Sequence, residues 1–164
     1  DQMLNRTGIV AEYHPSWGEF DATLYSVLSQ VTKAVIDPSM KSAPLTSMHQ
    51  MFYYRQYQGS IEGSFYNMTS IEGIENLNTA NVTNMNAMFT CCGVVTLDLT
   101  GFDVSKVKDM RDMFWGCDNL TTIYCEDDWS ASSVLNYSDN MFERCTSLVG
   151  GKGTAYDAAH IDAT

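Results

Sequence analysis

Apolar side chains in the middle of the chain recur in the motif M-x-x-M-F. The motif is complete at residues 48–52, 85–89 and 110–114, and in a fourth copy at 138–142 Ser138 replaces the first Met. Around the third copy the apolar residues are spaced by three, four or one, as on one face of a helix; they are Val107, Met110, Met113, Phe114 and Cys117. The pattern therefore predicts an internal repeat with a helix of about ten residues in each unit.

Each predicted helix follows a segment with the alternation of a strand. In Thr96-Leu97-Asp98-Leu99-Thr100, apolar and polar residues alternate, which is typical of a half-buried strand. A short strand and a short helix cannot bury their apolar faces alone, so such units have to stack. The predicted fold is an α/β repeat solenoid of leucine-rich-repeat-like coils of about 25 residues, with an N-terminal cap.

The repeat also predicts how the chain is divided. Residues 1–40 are interpreted as an N-terminal capping or linker segment, 41–149 as the repeat solenoid, and 150–164 as a terminal turn or tail. The second Met-Phe pair follows the first after 37 residues, whereas the later intervals are 25 and 28. The excess predicts an insertion at about 53–66, which is rich in aromatic residues and glycine.

Three stretches make the sequence recognisable: 71–89, 97–107 and 110–117. They closely resemble the BspA-like leucine-rich repeat surface proteins of bacteria, many of them from Bacteroidetes. This resemblance implies a solenoid related to leucine-rich repeats, a location at the cell surface or in the secreted fraction, and adhesion to host or microbial partners. It implies no fixed catalytic or ligand-binding residues.

The negative net charge of the chain argues against some classes of binding partner. The formal net charge is -11 at pH 7, which repels phosphate backbones and anionic lipid headgroups. Nucleic acid is therefore not expected as a partner. No apolar run approaches the 18 or so residues that span a bilayer, so we expect no membrane insertion of this fragment. The first residues, Asp1-Gln2-Met3, do not resemble a signal segment, and the expected surface location implies that the signal is not present in this fragment.

The five cysteines do not form a metal or disulfide pattern. They are odd in number and include no C-x-x-C pair, which argues against a zinc site or a disulfide framework. Cys92, Cys117 and Cys145 occupy the same position of the repeat. We therefore interpret the cysteines as buried thiols that act as small apolar side chains, although one disulfide among the five stays open.

The sequence contains no candidate catalytic residues. His14, His49 and His160 have no partner at metal or triad spacing, and no nucleophile-elbow, zinc-protease or phosphate-loop motif is present. We interpret the acidic run 126–128 as a solvated loop and not as a cation site. The chain is predicted not to be an enzyme and to need no cofactor or metal.

The candidate function is binding. If Leu97 and Leu99 point inward, alternate residues of the strand point outward, and the next unit brings Thr122, Tyr124 and Glu126 beside them. The candidate partner-binding residues are Tyr53, Tyr54, Arg55 and Tyr57 in an aromatic loop, and Asp98, Tyr124 and Glu126 on the strand face. We expect a module that recognises a protein or glycan, with a preference for Lys or Arg on the partner. The alternative is a spacer or stalk repeat with no ligand of its own.

Overall fold

The computed structural model describes residues 31–53, 67–126, 129, 135–150, 153 and 155–162. Its strands are β1 (Lys33–Val35), β2 (Ser70–Glu72), β3 (Thr96–Asp98) and β4 (Thr122–Tyr124), and its 3-10 helices are Pro38–Ser42 and Ile74–Asn76. The described part of the chain contains no α-helix, and most of it is turns and irregular structure. The predicted helices, and with them the α/β repeat solenoid as the fold class, are wrong.

A series of tight turns takes the place of each predicted helix. We call these segments rungs A to D; they are residues 47–53, 84–92, 109–117 and 137–145. In rung B the φ angles of Ala87 and Cys91 are 53° and 55°, and in rung C those of Asp112 and Gly116 are 55° and 69°. An α-helix needs φ near about −63° at every residue. A left-handed residue at every fourth position therefore excludes a helix.

Backbone hydrogen bonds in the rungs alternate between two destinations. In rung B the N–H of Met88 donates to Met85 O at 3.2 Å, which closes a turn within the rung. The next N–H, that of Phe89, donates to Met113 O of rung C at 2.9 Å. Cys92 then donates back to Phe89 O at 2.9 Å. Rungs A, B and C thus satisfy their backbone donors without a helix, about half of them locally and half on the next rung.

The rungs lie on one another in the register of the repeat. Parallel bridges join Ser47 to Asn84, Asn84 to Asp109 and Asp109 to Tyr137. The phenyl rings of the motif are stacked with centroid separations of 5.4, 5.6 and 5.5 Å along the series Phe52, Phe89, Phe114 and Phe142. The motif methionines that are fully buried in the core are Met48, Met85, Met88, Met110, Met113 and Met141. The equivalence of repeat positions that the sequence predicts is thus present in the described residues.

The strands form two separate sheets of two parallel strands each. β1 pairs with β2, and β3 pairs with β4. Residues 1–30 of the predicted N-terminal segment lie outside the described residues, as do residues 54–66 of the predicted insertion. Strands β1 to β4 precede rungs A to D in turn, so the strand pairs connect the segments before rungs A and B and those before rungs C and D, whereas bridges connect all four rungs.

Three of the cysteines lie in the core as predicted. Cys92, Cys117 and Cys145 are buried free thiols. The Sγ atoms of Cys117 and Cys145 each donate to a backbone carbonyl of the preceding rung at 3.0 Å. Cys91 is also buried, but Cys125 is exposed, so the interpretation as a buried thiol is wrong for that residue.

Burial should make the core thiols unreactive while the protein is folded. Removal from water raises the pKa of Cys92 and of Cys145 to about 12, so at pH 8 almost no reactive thiolate is present. We expect iodoacetamide to label both residues only after denaturant is added, with Cys125 labelled first because it is exposed. Peptide mass spectrometry measures the order, and labelling of Cys92 at the rate of Cys125 in the folded protein would contradict this burial.

Candidate functional site

The candidate site lies on the paired strands β3 and β4. Their register sets Thr96 beside Thr122 and Asp98 beside Tyr124. Leu97 is buried between the exposed Thr96 and Asp98, as a half-buried strand requires. The predicted pairing with the next unit is therefore confirmed for these two pairs, and Thr96, Asp98 and Tyr124 are exposed as predicted, whereas Thr122 is half-buried.

Asp98 and Tyr124 together present a carboxylate and an aromatic ring to solvent. One oxygen of Asp98, Oδ1, accepts from the backbone N–H of Thr100 at 3.2 Å and from its hydroxyl at 2.8 Å. This local turn limits the directions in which the carboxylate can point. Tyr124 is 54% exposed, which is high for a large aromatic side chain on a strand. The pair is thus an accessible acidic and aromatic patch on a defined backbone.

Of the other predicted site residues, the structure describes Glu126 and Tyr53. Glu126 is exposed, but it lies beyond the last paired residue of β4, so its position beside Thr100 stays a prediction. Tyr53 is half-buried at the end of rung A, where its N–H donates to Gln50 O at 3.1 Å. Tyr54, Arg55 and Tyr57 lie outside the described residues.

Two exposed valines near the same strands were missed by the sequence analysis. Val95 comes directly before β3 and is 50% exposed, and Val149 is 52% exposed. Thr121, just before β4, connects them: its N–H donates to Val95 O at 2.9 Å, and its own carbonyl accepts from Val149 N–H at 3.2 Å. Strand alternation gave no signal for either valine, because both lie outside the alternating segment 96–100. These valines add apolar area beside the polar row.

The rungs carry a second set of aromatic and charged side chains. The guanidinium of Arg111 lies over the ring of Tyr137 at 4.8 Å and forms an ion pair with Asp109 at 2.6 Å. Burial raises the pKa of the Asp109 carboxyl. The hydrogen bonds from Arg111 lower this pKa by more, so it lies below its ordinary value. Arg144 lies over Trp115 at 5.4 Å in the same way. Both guanidinium groups are already neutralised by carboxylates, so this face is less suited to bind an anion than its arginines suggest.

The sequence of this chain matches a protein-family model. The family model described as "Mycoplasma protein of unknown function, DUF285" matches residues 28–150, which is more than half of the sequence. The chain belongs to this family. The DUF285 match contains all four rungs, both strand pairs and the candidate site. No curated protein and no solved structure matches the chain.

Two further features are absent from the described part of this DUF285 chain. No group of three or more His, Cys, Asp or Glu side chains is arranged to hold a metal ion there. No helix among the same residues has the length and apolar character needed to cross a bilayer.

Proposed function

We propose that this chain is a binding module of a secreted or cell-surface protein related to the BspA-like repeat proteins. The membership in DUF285 supports this kinship, because that family is associated with BspA-like surface repeat proteins. The module recognises a protein partner through the strand face of β3 and β4. It performs no catalysis and needs no cofactor.

The exposed pair of Asp98 and Tyr124 is the observation that carries this proposal. Aromatic side chains are enriched where interfaces draw most of their binding energy, and Tyr124 is held on a strand whose partner fixes its position. The carboxylate beside the ring favours a partner that presents Lys or Arg, and the net charge of -11 attracts such a partner over longer distances. Val95 and Val149 extend the patch with area that a partner can desolvate.

The test compares two exposed tyrosines. The immobilised parent chain and its Tyr124→Ala and Tyr137→Ala variants are exposed to extracts of host matrix and of neighbouring bacteria. We expect a ligand that is retained by the parent and by Tyr137→Ala, and bound at least tenfold more weakly by Tyr124→Ala, which corresponds to a loss of about 1.4 kcal/mol or more. Tyr137 is a matched control because it is 52% exposed but lies on the rungs.

Salt supplies an independent check on the charge of the partner. Because exposed charges are screened, retention by the parent should fall between low and physiological salt, and Asp98→Asn should reduce that dependence. If no ligand is retained, or if all three chains retain it equally, the strand face is merely solvated and the spacer function is favoured.

A further inference from the structure

The pair of Asp98 and Tyr124 on the strand face has a counterpart on the rungs. A parallel bridge joins Asp109 to Tyr137, and the parallel pairing of β3 with β4 sets Asp98 beside Tyr124. In both pairs the aspartate belongs to one unit and the tyrosine to the next unit along the chain. The two tyrosines are about equally exposed, at 54% for Tyr124 and 52% for Tyr137. The chain thus places a carboxylate beside an exposed phenol ring at two separate positions.

The two aspartates also form the same local turn. Asp109 Oδ1 accepts from the backbone N–H of Arg111 at 3.1 Å, and Asp98 Oδ1 accepts from that of Thr100 at 3.2 Å. Each donor lies two residues after its aspartate, so both carboxylates are restrained by the same kind of turn. The pairs differ in the side chain at this position, which is arginine on the rungs and threonine on the strand face.

Arg111 occupies the pair on the rungs. Its guanidinium lies over the ring of Tyr137 at 4.8 Å from the centroid. Its Nε and Nη2 atoms donate to the two carboxylate oxygens of Asp109 at 3.0 and 2.6 Å. A planar guanidinium can stack on a ring and donate as a fork to a carboxylate, whereas an ammonium group has no such fork. The arrangement of aspartate and tyrosine therefore favours arginine over lysine.

The pair on the strand face holds no guanidinium in the described part of the chain. The hydroxyl of Thr100 donates to Asp98 Oδ1 at 2.8 Å, but no described group donates to Oδ2 of the same carboxylate. The two described arginines lie over other rings, those of Tyr137 and Trp115. The strand face thus presents to solvent the two groups that Arg111 contacts on the rungs.

We propose that Asp98 and Tyr124 form a subsite for an arginine side chain of the protein partner. This inference rests on the proposed function, and it narrows the expected Lys or Arg on the partner to arginine. The guanidinium stacks on the ring of Tyr124 and donates to Oδ2 of Asp98, as Arg111 does with its own pair on the rungs. Neighbouring strands lie about 4.8 Å apart, so one guanidinium reaches both side chains.

The test uses two small probes, N-acetyl-arginine amide and N-acetyl-lysine amide, and NMR of the full chain. At millimolar concentrations the arginine probe should shift the ring signals of Tyr124 and the backbone amide of Thr100. The lysine probe carries the same charge, and we expect it to need an at least about threefold higher concentration for the same shift. The ring of Tyr137 should not respond to either probe, because Arg111 already lies over it.

Two variants are the matched controls. Arg111→Ala removes the guanidinium from the rungs, and the ring of Tyr137 should then respond to the arginine probe as that of Tyr124 does. Thr100→Arg places a guanidinium two residues after Asp98, which is the spacing found on the rungs. It should shift the ring signals of Tyr124 without any probe and abolish their response to the arginine probe. Unchanged amide signals in the core report that the fold is intact in both variants.

Three results would overturn the subsite. Equal responses of Tyr124 to the two probes show a surface that attracts any cation. A response of Tyr137 in Arg111→Ala without a response of Tyr124 shows that the strand-face pair is not equivalent to the rung pair. Silence of both rings shows that an aspartate beside a tyrosine does not bind arginine in this chain.

Failure of the subsite and failure of the proposed function give different results. If Tyr124→Ala loses a ligand that the parent retains, but the arginine probe has no effect, the proposed function stands and the subsite is wrong. If the arginine probe shifts Tyr124 as expected and the parent retains no ligand, the subsite stands and the proposed function is wrong.

Discussion

Replacing Met113 with aspartate is expected to lower the free energy of unfolding by about 4 kcal/mol or more, among the largest effects of a single substitution. Met113 has no exposed surface, and it lies in rung C between rungs B and D. The new carboxylate would be buried among apolar side chains without a charged partner. It has to be protonated or draw in water, and both cost free energy.

Chemical denaturation measures this loss, with Asn119→Asp as the control. Asn119 is exposed in the same unit, and its replacement adds the same single negative charge to the chain. We expect this control to change the free energy of unfolding by less than about 0.5 kcal/mol. Equal losses in the two variants would contradict the placement of Met113 in the core.

Replacing Gly73 with alanine is expected to cost about 2–4 kcal/mol, the second large effect. Gly73 follows β2 with a φ of 73°, in the left-handed region that favours glycine. A Cβ atom there would collide with the backbone carbonyl oxygen of Ile36 and would lie 2.8 Å from Asn76 Nδ2. The amide of the buried Asn76 donates to that same oxygen at 2.9 Å, so the clash also disturbs a buried hydrogen bond.

Gly101→Ala is the matched control for this substitution. A Cβ at Gly101 meets no atom within 4 Å, and this residue does not have a positive φ. We expect the control to shift stability by no more than about 0.5 kcal/mol. If the Gly73→Ala and Gly101→Ala variants had the same melting temperature, the close approach of Gly73 to Ile36 would not be part of the native structure.

The sequence was a good guide to which residues are buried and to the pairing of β3 with β4. The repeat register placed Met85, Met110 and the motif phenylalanines in equivalent positions, and these positions stack in the structure. Alternation along 96–100 predicted both the inward Leu97 and the pairing of Asp98 with Tyr124. Both inferences depend only on which residues are buried, and the spacing of apolar residues in the sequence indicates this directly.

The helices could not be predicted correctly from that spacing. Side chains three and four residues apart share one face in an α-helix, and they also do so when tight turns recur every four residues. What distinguishes the two is the left-handed residue in each turn. Gly116, Asn140 and Asp112 tolerate this conformation and were a signal, but Ala87 and Cys91 occupy the same positions and conceal it.

The candidate site was predicted only in part, for a related reason. Asp98 and Tyr124 follow from strand periodicity, whereas Val95 and Val149 are connected only through backbone hydrogen bonds with Thr121, outside the named strands, where periodicity gives no guidance. The exposure of Cys125 has the same origin, since it follows directly after β4.

The backbone geometry of the rungs in solution shows most directly whether the repeats are stacked turns. NMR can measure this geometry in one sample. It gives φ at Ala87, Asp112 and Asn140, and it detects couplings across hydrogen bonds. We expect positive φ at all three residues and a coupling from the Phe89 amide to the Met113 carbonyl. Helical φ values near about −63° at these residues, with amides coupled four residues back, would contradict the stacked turns.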